Sequence, residues 1–162
     1  MICQTKVRPA DLLIGVLLSL LVNQDEPGTT HARHESVTTQ ITPTILLIDD
    51  NAIQAATRQT ILKRAGYFVI AVLSPQRALE QFTKGEYPAE IDLVITDHLM
   101  PGMNGADFVT RLRETHPWLP VLVISGLEEA EGEYNHLNVL FRLKPLLPDN
   151  LLASVHTLIP SR

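Results

Sequence analysis

Five short, predominantly apolar runs recur between residues 44 and 143, each followed by a segment of helical periodicity. A strand that is apolar throughout must be covered on both faces, and a parallel sheet flanked by helices provides that cover. The expected strands are residues 45–48, 68–73, 91–96, 121–124 and 139–143. The first expected helix spans 51–65, with Ile53, Ala56, Ile61 and Leu62 on its inward face and Gly66 just past its end. Ser74 caps the second, Pro75 takes its first position and Gly85 follows it at about residue 84. A third covers 106–115 and stops at His116-Pro117, and the last opens on Pro148 and Asp149 and runs to about residue 159. Between strands four and five, LEEAEGEYNHLN carries a fourth helix that is shortened and interrupted by Gly132. The fold class is α/β, a three-layer sandwich around a parallel sheet.

The 162 residues suffice for one domain, over 43–162, with an appendage over 1–42. A net charge of -5 and a pI near 5.6 leave no electrostatic footprint for nucleic acid. Cys3 is the only cysteine, which excludes a disulfide framework and a cysteine metal site and fits a reducing, cytoplasmic setting. Lys6 and Arg8 precede the apolar run of residues 12–22, which as a helix rises about 16 Å and cannot span a bilayer. No small-x-small cleavage site follows it. A signal-peptide core, weak contact with a membrane surface, partner docking, and a tail with little role all remain readings of that run. Residues 23–42 read as a flexible polar linker, whose His31 and His34 are solvated rather than metal-bound.

The chemistry gathers at the strand ends. Asp49 and Asp50 follow the first strand, Asp97 the third, Ser125 the fourth and Lys144 the fifth. In wound parallel sheets, sites form beyond the carboxyl ends of the strands, so these residues should converge. Three carboxylates about 4 Å apart cost on the order of 4 kcal/mol per pair at an effective dielectric near 20. A hard divalent cation relieves that repulsion, and Mg²⁺ is expected because it keeps waters and engages phosphate oxygens. Asp97, ending the central strand, is the expected nucleophile toward phosphorus, with Lys144 supplying charge and Ser125 a hydroxyl donor. Each residue alone could be a cap, a turn residue or a surface lysine. Their joint placement points to phosphoryl chemistry.

The segments ILLIDDN (45–51), LVITDHLMPGMNG (93–105), VLVISG (121–126) and FRLKP (141–145) closely resemble the signatures of response-regulator receiver domains. The resemblance implies a flavodoxin-like (βα)5 fold with strand order 2-1-3-4-5, and phosphorylation of Asp97 by a histidine kinase or a histidine-phosphotransfer protein. It implies that Asp50 ligates Mg²⁺ directly, Asp49 largely through water, and Leu99 through its backbone carbonyl. Ser125 and Lys144 would contact the phosphoryl group, and the Lys144–Pro145 bond is expected to be cis. Phe141 falls at the position of the aromatic that turns inward with Ser125 on activation. It lacks a tyrosine hydroxyl, so packing alone should favour its buried state.

Two features depart from the usual pattern. Only 19 positions separate Ser125 from Lys144, and with the run Glu128, Glu129, Glu131 and Glu133 this marks an eroded fourth helix, familiar from receivers of hybrid sensor kinases. Output is therefore expected not to use a two-fold dimer through the face of the fourth helix, fifth strand and last helix. Leu99 and Leu127 are apolar where side chains screen the phosphoryl group, so self-dephosphorylation is expected to be slow. No output domain of the helix-turn-helix kind is expected, nor a kinase: His34-Glu35 is not continued by a kinase box. The leading expectation is a phospho-acceptor that signals through a downstream protein and is not an enzyme on external substrates. The alternatives are a receiver from a hybrid kinase, an adaptor that works without phosphorylation, and a Mg²⁺-dependent phosphohydrolase. That last class usually has a second aspartate where Leu99 stands.

Overall fold

The computed structural model describes residues 42–159, so the expectations for the apolar run and nearly all of the polar linker lie outside the described residues. The element order is β1 (Thr44–Ile48), α1 (Ala52–Arg64), β2 (Phe68–Val72), α2 (Pro75–Lys84), β3 (Leu93–Asp97) and α3 (Gly105–Thr115). Then follow β4 (Val121–Ser125), a 3₁₀ segment (Glu129–Tyr134), β5 (Leu140–Leu143) and α4 (Pro148–Leu158). All strand pairings are parallel, in the order β2-β1-β3-β4-β5.

The three inner strands are buried at every position, which is why they read as unbroken apolar runs. Alternate residues face opposite layers. Leu46, Ile48, Val94 and Val123 pack with Ala78, Phe108 and Leu112 of α2 and α3. Ile45, Leu47, Ile95 and Ile124 pack with Leu62, Leu151 and Val155 of α1 and α4. Among the described residues no helix is long and apolar enough to cross a membrane.

The helix signals act as capping chemistry dictates. The Asn51 side chain accepts from the backbone N–H groups of Ile53 and Gln54, and the Ser74 side chain from that of Arg77. Gly66 and Gly85 end their helices at φ +93° and +64°. The inward face of α1 differs from expectation. Ile53 is 80% exposed and Ala56 is exposed, whereas Ala55 and Leu62 are buried. With Asn51 setting the start of the helix, the inward stripe runs Ala55, Arg58/Gln59, Leu62, at spacings of three and four. Apolar residues alone misplaced it because a polar residue, Arg58, lies on that stripe.

The fourth helix is reduced further than shortening alone. It is a single six-residue 3₁₀ segment that buries only Ala130 and Tyr134. The chain beyond it is irregular, with His136 and Asn138 at φ 77° and 50°. Irregular backbone near a core needs partners for its carbonyls, and one side chain supplies them. Arg113 donates to the backbone oxygens of Leu137 (2.8 Å), Leu119 (2.8 Å), Asn138 (3.0 Å) and His116 (3.1 Å). Replacing it strands up to four carbonyls. We expect Arg113→Met to lower the free energy of unfolding by about 2–4 kcal/mol in urea titration, with the loss confined to stability.

Candidate functional site

The strand register assembles the site. Ile48 lies beside Val72 and Thr96, so Asp49 and Asp50 leave the sheet next to the end of β3. Asp97 pairs with Ile124 and Ser125 with Leu143, which puts Ser125 and Lys144 one step beyond their neighbours' ends. Five residues from four separate segments thus meet at one rim of the sheet.

One ligand oxygen from each of Asp49, Asp50 and Asp97 lies within 4.8 Å of the others, a spacing that suits a small hard cation. Asp50 is exposed, while Asp49 and Asp97 are buried. The Lys144 ammonium donates to Asp97 Oδ2 at 2.5 Å. Asp49 Oδ1 accepts from the Asn51 N–H at 2.9 Å, and its Oδ2 accepts from the Arg58 guanidinium. Burial pushes the Asp49 carboxyl above the usual carboxylate range, against the Asn51 N–H and the Arg58 charge, which pull it down. Arg58 is steadied in turn by Gln54 Oε1, which accepts from it at 3.0 Å.

Ser125 is fully buried. Its hydroxyl donates to the Leu127 carbonyl (3.2 Å) and accepts from the Leu127 N–H (2.9 Å), so it is engaged by the loop rather than by Asp97. Its carbonyl accepts from the Lys144 N–H at 2.7 Å, tying the two strand ends together. The Lys144–Pro145 bond is cis, as expected. Leu99 and Leu127 are 54% and 36% exposed beside the site. Phe141 is half-buried, its ring centroid 5.7 Å from that of Tyr134.

Sequence reasoning missed three residues here: Arg58, His98 and Tyr134. Arg58 could have been found by asking which polar residue shares the Ala55–Leu62 stripe. His98 is buried, with Nδ1 2.9 Å from the Tyr134 hydroxyl and Nε2 3.7 Å from a Glu133 carboxylate oxygen. No local pattern announces that pair, because residues 98 and 134 meet only through the fold. Burial raises the Tyr134 phenol well above its ordinary value, with the charges of Glu133 and Asp97 adding to it.

The loop from His98 to Gly105 is pinned at both ends. Met100 and Met103 are buried in the core, and the Gly105 N–H donates to the His98 carbonyl at 2.8 Å. A Cβ on Gly105 would lie 2.6 Å from the Asp97 backbone oxygen and 2.6 Å from the Tyr134 hydroxyl. Glycine is required here by close approach rather than by its φ. Gly105→Ala should cost about 1–3 kcal/mol in denaturant unfolding. Adding Tyr134→Phe should recover only part of that, because the backbone oxygen cannot be removed.

The arrangement can hold a divalent cation on carboxylates and present one of them, with an ammonium beside it, to an electrophile. Residues 45–155 match the family model described as the response regulator receiver domain. The Autoinducer 1 sensor kinase/phosphatase LuxN of Vibrio campbellii is 33% identical over 116 residues, covering 72% of this chain and 13% of LuxN. The chain therefore spans a small part of that relative's length. The crystal structure of a response regulator receiver protein from Sinorhizobium medicae superposes with a TM-score of 0.64 at 33% identity, covering 72% of this chain and 94% of that one. The response regulator TrrA of Thermotoga maritima, solved in complex with Mg(2+)-BeF, shares the fold with a TM-score of 0.65 at 21% identity, over 73% of this chain and all of that one.

Proposed function

The chain belongs to the response regulator receiver domain family, and on that premise we propose that Asp97 accepts a phosphoryl group from a phosphohistidine of a histidine kinase or phosphotransfer protein. A carboxylate oxygen of Asp97 bonds to phosphorus as the P–N bond breaks, and the imidazole leaves with the nitrogen electron pair. Asp49, Asp50, Asp97 and the Leu99 carbonyl are the groups that would hold Mg²⁺. When bound, Mg²⁺ neutralises charge on the transferring phosphoryl oxygens. Lys144 transfers its hydrogen bond from Asp97 to a phosphoryl oxygen. Ser125 releases the Leu127 backbone to donate to another, and Phe141 turns toward the space this frees. The observation that carries this reading is the Lys144–Asp97 contact at 2.5 Å inside a cluster of three carboxylates.

Output on this reading is a contact with a downstream protein rather than with nucleic acid, in keeping with the net charge of -5. The lone cysteine supports a cytoplasmic setting. The match to a sensor kinase favours one variant, in which this unit is the receiver of a hybrid kinase that relays phosphate to a phosphotransfer protein.

Incubation with Mg²⁺ and acetyl phosphate tests the reading. Intact-mass spectrometry should show one phosphoryl group, abolished by Asp97→Asn. Absence of labelling supports the adaptor alternative, and multiple turnovers of the donor support a phosphohydrolase. In the labelled protein, Leu99→Asn should shorten the acyl-phosphate lifetime several-fold, since an amide can orient an attacking water where a leucine cannot. An unchanged or longer lifetime refutes the screening role of Leu99.

A further inference from the structure

Two of the three carboxylates in the crevice already have a protein cation. Lys144 holds Asp97 and Arg58 holds Asp49, which leaves Asp50, among the described residues, as the carboxylate with no counter-charge. The two pairings differ in what they can become. Lys144 sits on a strand end, a quarter exposed, where it can follow an incoming phosphoryl group. Arg58 is anchored within α1, its side chain 13% exposed, with one nitrogen on Asp49 and another on Gln54. A guanidinium keeps its charge throughout the accessible pH range, so this cation is permanent. It faces a carboxylate that burial has stripped of solvent, where charge pairing is screened least.

We propose that Arg58 is a built-in cation of the acidic crevice, which competes electrostatically with Mg²⁺ for Asp49 and so sets a weak metal affinity while keeping the metal-free fold intact. The inference rests on the metal site proposed above and adds a residue that tunes it. Asp49 does not need Arg58 for orientation, since the Asn51 N–H already fixes its other oxygen. The guanidinium's contribution is charge. In the metal-free protein that charge offsets the repulsion among the acids. In the loaded protein it stands close to a dication and opposes it.

The test is isothermal titration of Mg²⁺ alone into the full chain, paired with thermal unfolding in EDTA and in saturating Mg²⁺. Arg58→Gln should bind Mg²⁺ at least about tenfold more tightly than the wild type. Its melting temperature should fall in EDTA and return toward the wild-type value with Mg²⁺. Gln54→Ala frees the guanidinium without deleting it and should shift the affinity in the same direction by a smaller factor, which preserves the test if Arg58→Gln fails to fold. Unchanged or weaker Mg²⁺ binding in these variants overturns the inference and leaves Arg58 as a merely structural partner of Asp49. Equal melting losses with and without Mg²⁺ overturn it as well. No Mg²⁺ binding by any form, wild type included, overturns the metal-site reading itself.

Discussion

Mutual repulsion at the rim of the sheet governs this molecule. Three carboxylates held with ligand oxygens inside 4.8 Å are stable only if other charges offset them. At that separation each uncompensated pair costs on the order of 3–4 kcal/mol at an effective dielectric near 20, a large share of a domain's total stability. The chain meets the cost with Arg58 from one helix and Lys144 from the far edge strand. Both cations are held by hydrogen bonds to the carboxylates they offset.

Much of this balance is legible in the chain and some is not, for physical reasons. Inner strands buried on both faces must be apolar throughout, so β1, β3 and β4 are plain in one dimension. Residues that follow such strands fall at one rim whatever the loops do, so Asp49, Asp50, Asp97, Ser125 and Lys144 group together from their places in the chain alone. The inward face of α1 could not be read from apolar residues, because Arg58 lies on it to serve Asp49. An isoleucine at position 53 looks like core and is exposed, while an arginine that looks like surface is nearly buried. His98 and Tyr134 were illegible for another reason: their contact depends on how tightly the segment after β4 folds back.

That segment shows how a missing helix is replaced. Gly132 and a dense run of glutamates give residues 128–134 little reason to form α-helix, since glycine costs roughly 1 kcal/mol and like charges at i,i+4 repel. A 3₁₀ turn buries Ala130 and Tyr134 with few residues, and Arg113 satisfies the carbonyls that an α-helix would have satisfied itself. What remains between β4 and β5 is a short, irregular surface in place of a helical face.

The same compactness links Asp97 to Phe141 through side-chain contacts. His98 follows Asp97 directly and meets the Tyr134 hydroxyl, whose ring lies against Phe141. A Cβ at position 105 would run into both the Asp97 backbone oxygen and that hydroxyl, so glycine there lets the two segments lie close together. Tyr134, whose ring lies against Phe141, belongs to the short 3₁₀ segment, so an inward turn of Phe141 would shift that segment. A long helix resists such a shift with many packed residues, whereas a six-residue segment that buries two side chains resists it weakly. The 3₁₀ segment between β4 and β5 is thus tied to the core by two side chains where a full helix would use many.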